Sequence, residues 1–122
     1  MTTLTTYLSD LSEKADAATK GPWGVHRFGR SVRVGLDWAS SPTDITGSIS
    51  ATDAEATAEF IVASRAAVPA LVRAVQSVLA LHVQDEETGK CRECSAALYS
   101  IHSVRWPCPT VAALADALGV SE

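Results

Sequence analysis

The sequence lacks the signals that direct a chain into a membrane, out of the cell or onto nucleic acid. Residues 1–14 contain neither a basic stretch nor a strongly apolar one, which predicts no export signal. The longest apolar stretch, residues 66–83, is interrupted by Pro69, Arg73, Gln76 and Ser77, so it is too polar to predict a membrane-spanning helix. The net charge is −4 and no long basic run occurs, which argues against general nucleic-acid binding. These absences predict a cytoplasmic protein.

Motifs of common catalytic sites are also missing. The chain contains no glycine-rich phosphate loop, no Gly-x-Ser-x-Gly and no His-Glu-x2-His. A deaminase-like zinc site needs a glutamate beside its histidine ligand and a proline before its cysteine pair. Here Val83 follows His82, and Lys90 precedes Cys91. The sequence therefore predicts a protein that is not an enzyme and has no catalytic residues.

Cysteine is scarce, and its three residues are clustered. Cys91 and Cys94 form a Cys-x2-Cys pair, and Cys108 follows after thirteen further residues. Thiolates at this spacing can point at one tetrahedral zinc ion, about 2.3 Å from each sulfur. An odd number of cysteines argues against a disulfide framework, while free structural thiols and a redox pair are further interpretations. The pattern favours zinc, with either His82 or His102 as the fourth ligand.

The residues around the cysteines resemble a short segment that is common in small proteins of actinobacteria and their phages. The matching elements are Leu-His at residues 81–82, Cys-Arg-Glu-Cys at residues 91–94 and Trp-Pro-Cys-Pro-Thr at residues 106–110. The resemblance implies four zinc ligands, which are Cys91, Cys94, Cys108 and His82. The insert at residues 95–105 is longer than is usual for the segment and contains His102, which keeps His102 as the alternative fourth ligand.

Hydrophobic spacing and turn residues predict an α+β fold. The predicted elements are a helix over residues 4–18, strands over 23–28, 31–37 and 44–50, helical residues 53–83 and a short helix over 109–118. Pro69 lies within the long helical run, so one kinked helix or two consecutive helices, 53–67 and 69–83, both fit. The prediction is a single domain over residues 1–122, with an α+β core at 1–81 and a zinc-bound C-terminal segment at 82–122.

The same spacing predicts how side chains are distributed over the faces of the elements. Phe60, Ala63, Ala67 and Leu71 make one face of the long helical run. Its second half is predicted to carry a set of apolar side chains inward, namely Leu71, Val72, Val75, Val78 and Leu79. In the hairpin, period-2 alternation predicts that Arg27 and Arg33 both lie on the face opposite Val32, Val34 and Leu36.

A second resemblance covers residues 10–80. The matching residues are Ala-Asp-Ala-Ala-Thr-Lys-Gly-Pro-Trp at 15–23, Glu-Phe-Ile at 59–61 and Ala-Val-Pro-Ala-Leu at 67–71. They are similar to the Ead-like family of phage proteins, in which a Gly-Pro-Trp ends the first helix and an Ala-Val-Pro helix packs on the sheet. The resemblance implies a phage or prophage origin and does not define an activity.

Two functions are compatible with these patterns. The first is a non-catalytic, phage-encoded accessory protein with a structural zinc site that binds a host protein, in host takeover or against host defence. The candidate contact for such a partner is apolar, either Trp38 or an exposed face of the alanine-rich helix, because aromatic anchors dominate interface energy. The alternative is a protein that binds a small anion or nucleotide through Arg27, Arg30 and Arg33, which otherwise form a solvated strand face. A homo-oligomer is compatible with either function.

Overall fold

The computed structural model describes residues 2–36, 42–44, 53–96 and 103–122. Four helices and three strands follow one another in these residues: α1 (Leu4–Ala17), β1 (Gly24–Phe28), β2 (Ser31–Gly35), β3 (Thr43–Asp44), α2 (Ala54–Leu81), α3 (Arg92–Ser95) and α4 (Pro109–Leu118). The strands form one antiparallel sheet in the order β1-β2-β3. The predicted α+β fold is confirmed. Most of the predicted third strand, residues 45–50, lies outside the described residues.

The chain divides into two compact units. Unit 1 comprises Met1–Glu13 and Val72–Glu122, and unit 2 comprises Lys14–Leu71. Helices α1 and α2 each contribute residues to both units. The prediction of a single domain over residues 1–122 stays a prediction. Among the described residues, no helix combines the length and the apolar character needed to cross a bilayer.

The hairpin in unit 2 has a register that corrects one prediction. The two-residue turn at Gly29 and Arg30 pairs Phe28 with Ser31, so that Arg27 faces Val32 and His26 faces Arg33. Directly opposed residues of an antiparallel pair project to the same side of the sheet. Arg27 therefore shares a face with Val32, while Arg33 lies on the other face. The prediction that both arginines lie opposite the valines is wrong, because the turn length fixes the register and the alternation within each strand does not.

The turn after α1 contacts α2 within unit 2. The indole N–H of Trp23 and the Nε–H of Arg65 each donate to the carbonyl oxygen of Thr19, both at 2.9 Å. The guanidinium of Arg65 also lies 5.8 Å from the centroid of the Trp23 ring. These contacts hold the segment that follows the first helix beside the middle of the second.

Helix α2 is one continuous helix of 28 residues with Pro69 inside it. Val72 is buried, and Val75 and Leu79 pack against the core of unit 1, as the sequence predicts. The side chain of Leu71 does not face the core, because it is 63 % exposed, and Phe60 is 73 % exposed. Residues 60, 63, 67 and 71 lie about 100–180° around the helix from the buried residue 72, so packing on that buried side leaves their face in solvent.

The core of unit 1 joins the two ends of the chain to the cysteine segment. Its buried members are Leu4, Leu8, Val72, Cys91, Cys108 and Val111. The termini are paired by backbone hydrogen bonds from Leu4 N–H to Ser121 C=O and from Ser121 N–H to Thr2 C=O, both 3.1 Å. Helix α4 begins at Pro109 and ends at Leu118, and the C-cap residue Gly119 has a φ of 67°, the left-handed conformation that glycine adopts without strain. Two cysteines are therefore part of the apolar core.

The contribution of α1 to this core can be measured with one substitution. Leu4 is fully buried, so Leu4→Ala is expected to lower the free energy of unfolding by about 2–5 kcal/mol through lost burial and a residual cavity. The matched control is Leu71→Ala, which is expected to change it by less than about 0.5 kcal/mol because Leu71 is largely exposed. Chemical denaturation of the metal-loaded protein gives both values, and similar losses for the two variants would contradict the assigned core.

Candidate metal centre

Three separate elements of unit 1 bring the cysteines and one histidine together. His82 follows the last residue of α2, and its backbone N–H still donates to Val78 C=O at 3.1 Å. Cys91 caps the start of α3, and Cys94 lies within that short helix. Cys108 caps the start of α4. Each ligand is thus at or within one turn of a helix end, where the backbone direction is fixed by the helix.

The four side chains have the spacing of ligands that share one ion. The Sγ atoms of Cys91, Cys94 and Cys108 each lie 3.5 Å from Nδ1 of His82. All four ligand atoms lie within 4.8 Å of one another. Bonds of about 2.3 Å to sulfur and about 2.0 Å to nitrogen, at tetrahedral angles, place each sulfur about 3.5 Å from the nitrogen. The cluster can therefore hold a tetrahedral metal ion, with His82 bound through Nδ1.

A short network of backbone bonds frames the cluster. Cys91 N–H donates to Val104 C=O at 2.9 Å, and Arg92 N–H donates to Val83 C=O at 2.9 Å. The hydroxyl oxygen of Ser95 accepts from Val104 N–H at 3.1 Å. These bonds connect the chain before, within and after the cysteine pair, so the ligands are positioned by the fold as well as by any bound ion.

The carboxylate of Asp85 closes the turn before Cys91. Its Oδ1 accepts from the N–H groups of Glu87 and Thr88 at 2.9 and 3.1 Å, and its Oδ2 lies 3.7 Å from Nε of Arg92. The N–H donation from Thr88 and Glu87 holds the pKa of Asp85 below its usual value. The carboxylate of Asp85 thus interacts with groups of its own turn and with Arg92.

The thiols affect each other's ionisation. Burial, with hydrogen bonds to Cys91 and Cys108, raises the pKa of Cys94 to about 12. Burial acts to raise the pKa of Cys108 too. Hydrogen bonds with the backbone N–H of Val111, with the side chains of Cys91 and Cys94 and with the backbone N–H of Thr110 together outweigh it and leave that pKa lowered. Three neighbouring thiolates repel one another, so all three ionise together when a cation compensates their charge.

The structure distinguishes some of the alternatives that the sequence leaves open. All three cysteines are free thiols, and Cys91 and Cys108 are fully buried. The cluster contains His82, the histidine that the resemblance implies. His102 lies outside the described residues, so substitution of each histidine in turn is needed to decide between them.

The arginines of the hairpin are not gathered into one site. Arg27 forms ion pairs with Glu55 and, at 3.7 Å, with Glu59. Arg33 lies on the other face, 5.8 Å from the centroid of the Phe28 ring, and Arg30 is exposed in the turn. Trp38 lies outside the described residues, and its role as a partner contact stays a prediction.

One pair of basic residues beside the metal centre was missed by sequence reasoning. Lys90 and Arg105 face each other across an antiparallel bridge. They are separated by the Cys-x2-Cys pair and by an insert without periodicity, so no sequence signal indicates that they meet.

No family model, no curated protein and no solved structure matches the chain. The two sequence resemblances, to the actinobacterial cysteine segment and to the Ead-like family, stay predictions. The geometry of the site is therefore the main guide to function.

Proposed function

We propose that the chain is a non-catalytic accessory protein in which a structural zinc ion, bound by His82, Cys91, Cys94 and Cys108, stabilises unit 1. The observation that carries the proposal is the equal 3.5 Å spacing of three sulfurs around one imidazole nitrogen. A donor set of three cysteines and one histidine is typical of structural zinc, and thiolate ligands favour soft or borderline metals over magnesium or calcium.

The same donor set supports a role without catalysis. Catalytic zinc sites keep one coordination position for water or substrate, whereas four protein ligands fill a tetrahedral ion. Two of the four ligands are also fully buried in the core of unit 1. The sequence resemblance to phage proteins supports a phage-encoded origin, with action in the reducing cytoplasm of a host, where thiols remain available to metal.

The accessory role consists, in this proposal, of binding a host protein through α2. Phe60, Ala63, Ala67 and Leu71 form one exposed face of the helix, and Phe60 and Leu71 are 73 % and 63 % exposed. Two large anchors with alanines between them, at spacings of three and four residues, are the pattern of a helix that docks into an apolar groove. Residues 60 and 71 lie about 16 Å apart along the helix axis, at a rise of about 1.5 Å per residue. The groove on the partner must therefore be about as long.

A double variant tests this surface. Phe60→Gln combined with Leu71→Gln is expected to abolish capture of the host partner while zinc content and unfolding temperature stay unchanged, because both side chains are exposed. The matched control is Phe28→Gln, which removes another largely exposed aromatic side chain, 60 % exposed, from the hairpin. Capture from host lysate, followed by one-to-one binding of the purified partner, is the measurement.

Three results would contradict the proposed docking. They are equal capture by the double variant, equal loss in Phe28→Gln, and recovery of no host protein at all. A concentration-dependent dimer that the double variant abolishes would assign the α2 face to a second copy of the chain. The zinc part of the proposal is tested separately by metal content.

A further inference from the structure

A cleft in unit 1 lies next to the metal centre and is distinct from it. Its volume is about 500 Å³, and its lining consists of Thr88, Gly89, Lys90, Ser103, Arg105 and Trp106. None of these residues is a metal ligand. The volume is within the range of sites for small organic ligands.

Two cations point to the same side of this cleft. Lys90 and Arg105 are opposed in an antiparallel bridge, and opposed residues project to one side with their Cβ atoms about 5 Å apart. Like charges on directly opposed residues are destabilising. Within the part of the chain that the structure describes, neither residue forms an ion pair, and no carboxylate lines the cleft. An anion between the two side chains would relieve the repulsion.

The remaining lining residues offer hydrogen bonds and a ring. Thr88 and Ser103 carry hydroxyl groups, which donate to phosphate oxygens. Trp106 lines the cleft, and its partly buried side chain packs against the core of unit 1. Its backbone N–H donates to Gly89 C=O at 3.0 Å, which fixes the backbone of Trp106 at the edge of the cleft. Aromatic rings stack against an indole face with a favourable free energy. The lining thus combines two cationic side chains with two hydroxyl groups and a partly buried indole side chain.

We propose that this cleft binds a phosphate monoester that carries an aromatic ring, such as a nucleoside monophosphate. The phosphate lies between Lys90 and Arg105, and the ring lies against Trp106. The site shares no residue with the hairpin arginines or with the α2 face, so it does not rest on the proposed host-protein binding.

Titration of the metal-loaded, ¹⁵N-labelled protein tests the site. The probes are adenosine monophosphate, inorganic phosphate and adenosine. We expect adenosine monophosphate to bind most tightly, to shift the Gly89 and Ser103 amide signals and the Trp106 indole signal, and to bind more weakly as salt is added. The double variant Lys90→Gln/Arg105→Gln is expected to weaken binding of both phosphate probes roughly tenfold or more, because it removes two charged donors.

Two further variants separate the contributions. Trp106→Leu is expected to weaken the binding of adenosine monophosphate without changing the affinity for inorganic phosphate. The unchanged phosphate affinity also shows that the cleft of the variant is folded. Arg30→Gln removes an exposed arginine far along the chain and is expected to leave all affinities unchanged. The proposal is overturned if no probe shifts these signals, if the Lys90/Arg105 double variant binds as tightly as the wild type, or if Arg30→Gln loses as much affinity.

Discussion

Removal of the metal is expected to unfold the whole of unit 1, and not the C-terminal segment alone. Cys91 and Cys108 are core residues in contact with the cluster that contains Leu4, Leu8 and Val111. Loss of the ion leaves three crowded thiols and an imidazole where four ligands were held together. Zinc binding in small zinc domains is worth about 10–16 kcal/mol, whereas an entire domain is usually stable by about 5–15 kcal/mol. The remaining apolar contacts are therefore insufficient.

Hydrogen exchange with and without a strong chelator measures this effect. In the chelated protein, amide protection is expected to disappear from α4 and from the first turns of α1, and to return when zinc is added back. The strands β1 and β2 of unit 2 provide an internal comparison, since none of their residues is a ligand. Full protection of α4 after complete removal of the metal would show that the core of unit 1 does not need it.

Replacement of His82 is expected to have the second largest effect. His82→Ala removes one of four ligands, and we expect zinc affinity to fall by more than about 100-fold, since loss of an outer-shell partner alone costs 10–100-fold. His82→Cys restores four ligands as an all-cysteine set and is expected to recover most of the affinity. Competition with a chromophoric chelator measures the affinities.

Two other histidines serve as controls for this experiment. His26 lies in β1, and His26→Ala is expected to leave zinc affinity unchanged. His102→Ala is expected to do the same, because His82 already completes the four-residue cluster. A large loss in His102→Ala together with a small loss in His82→Ala would assign the fourth ligand to the insert at residues 95–105.

Much of this fold can be predicted from short-range chemistry. The first helix is predicted over residues 4–18 and observed as Leu4–Ala17, and the last helix is predicted and observed over residues 109–118. The signals for these helices are local: the spacing of apolar residues, Thr3 before the first helix and Pro109 at the start of the last. A single sequence is therefore enough to predict both helices. The three cysteines are similarly local, because they all lie within eighteen residues.

Features that depend on long-range packing cannot be predicted in the same way. The predicted inward set of α2 is wrong at Leu71, because a helix that is apolar over a wide arc does not specify which side finds a partner. The prediction for the hairpin arginines is wrong because alternation within each strand does not determine how the turn aligns the two strands. The pairing of Lys90 with Arg105 depends on how the chain returns after the insert, which no periodicity describes.

The metal content of the purified protein tests the central claim most directly. Native mass spectrometry of protein prepared without chelator is expected to show one zinc ion per chain, and Cys108→Ser is expected to lose it. A folded wild-type chain that carries less than about half an equivalent of zinc would contradict the account, because the metal would then not be part of the folded state.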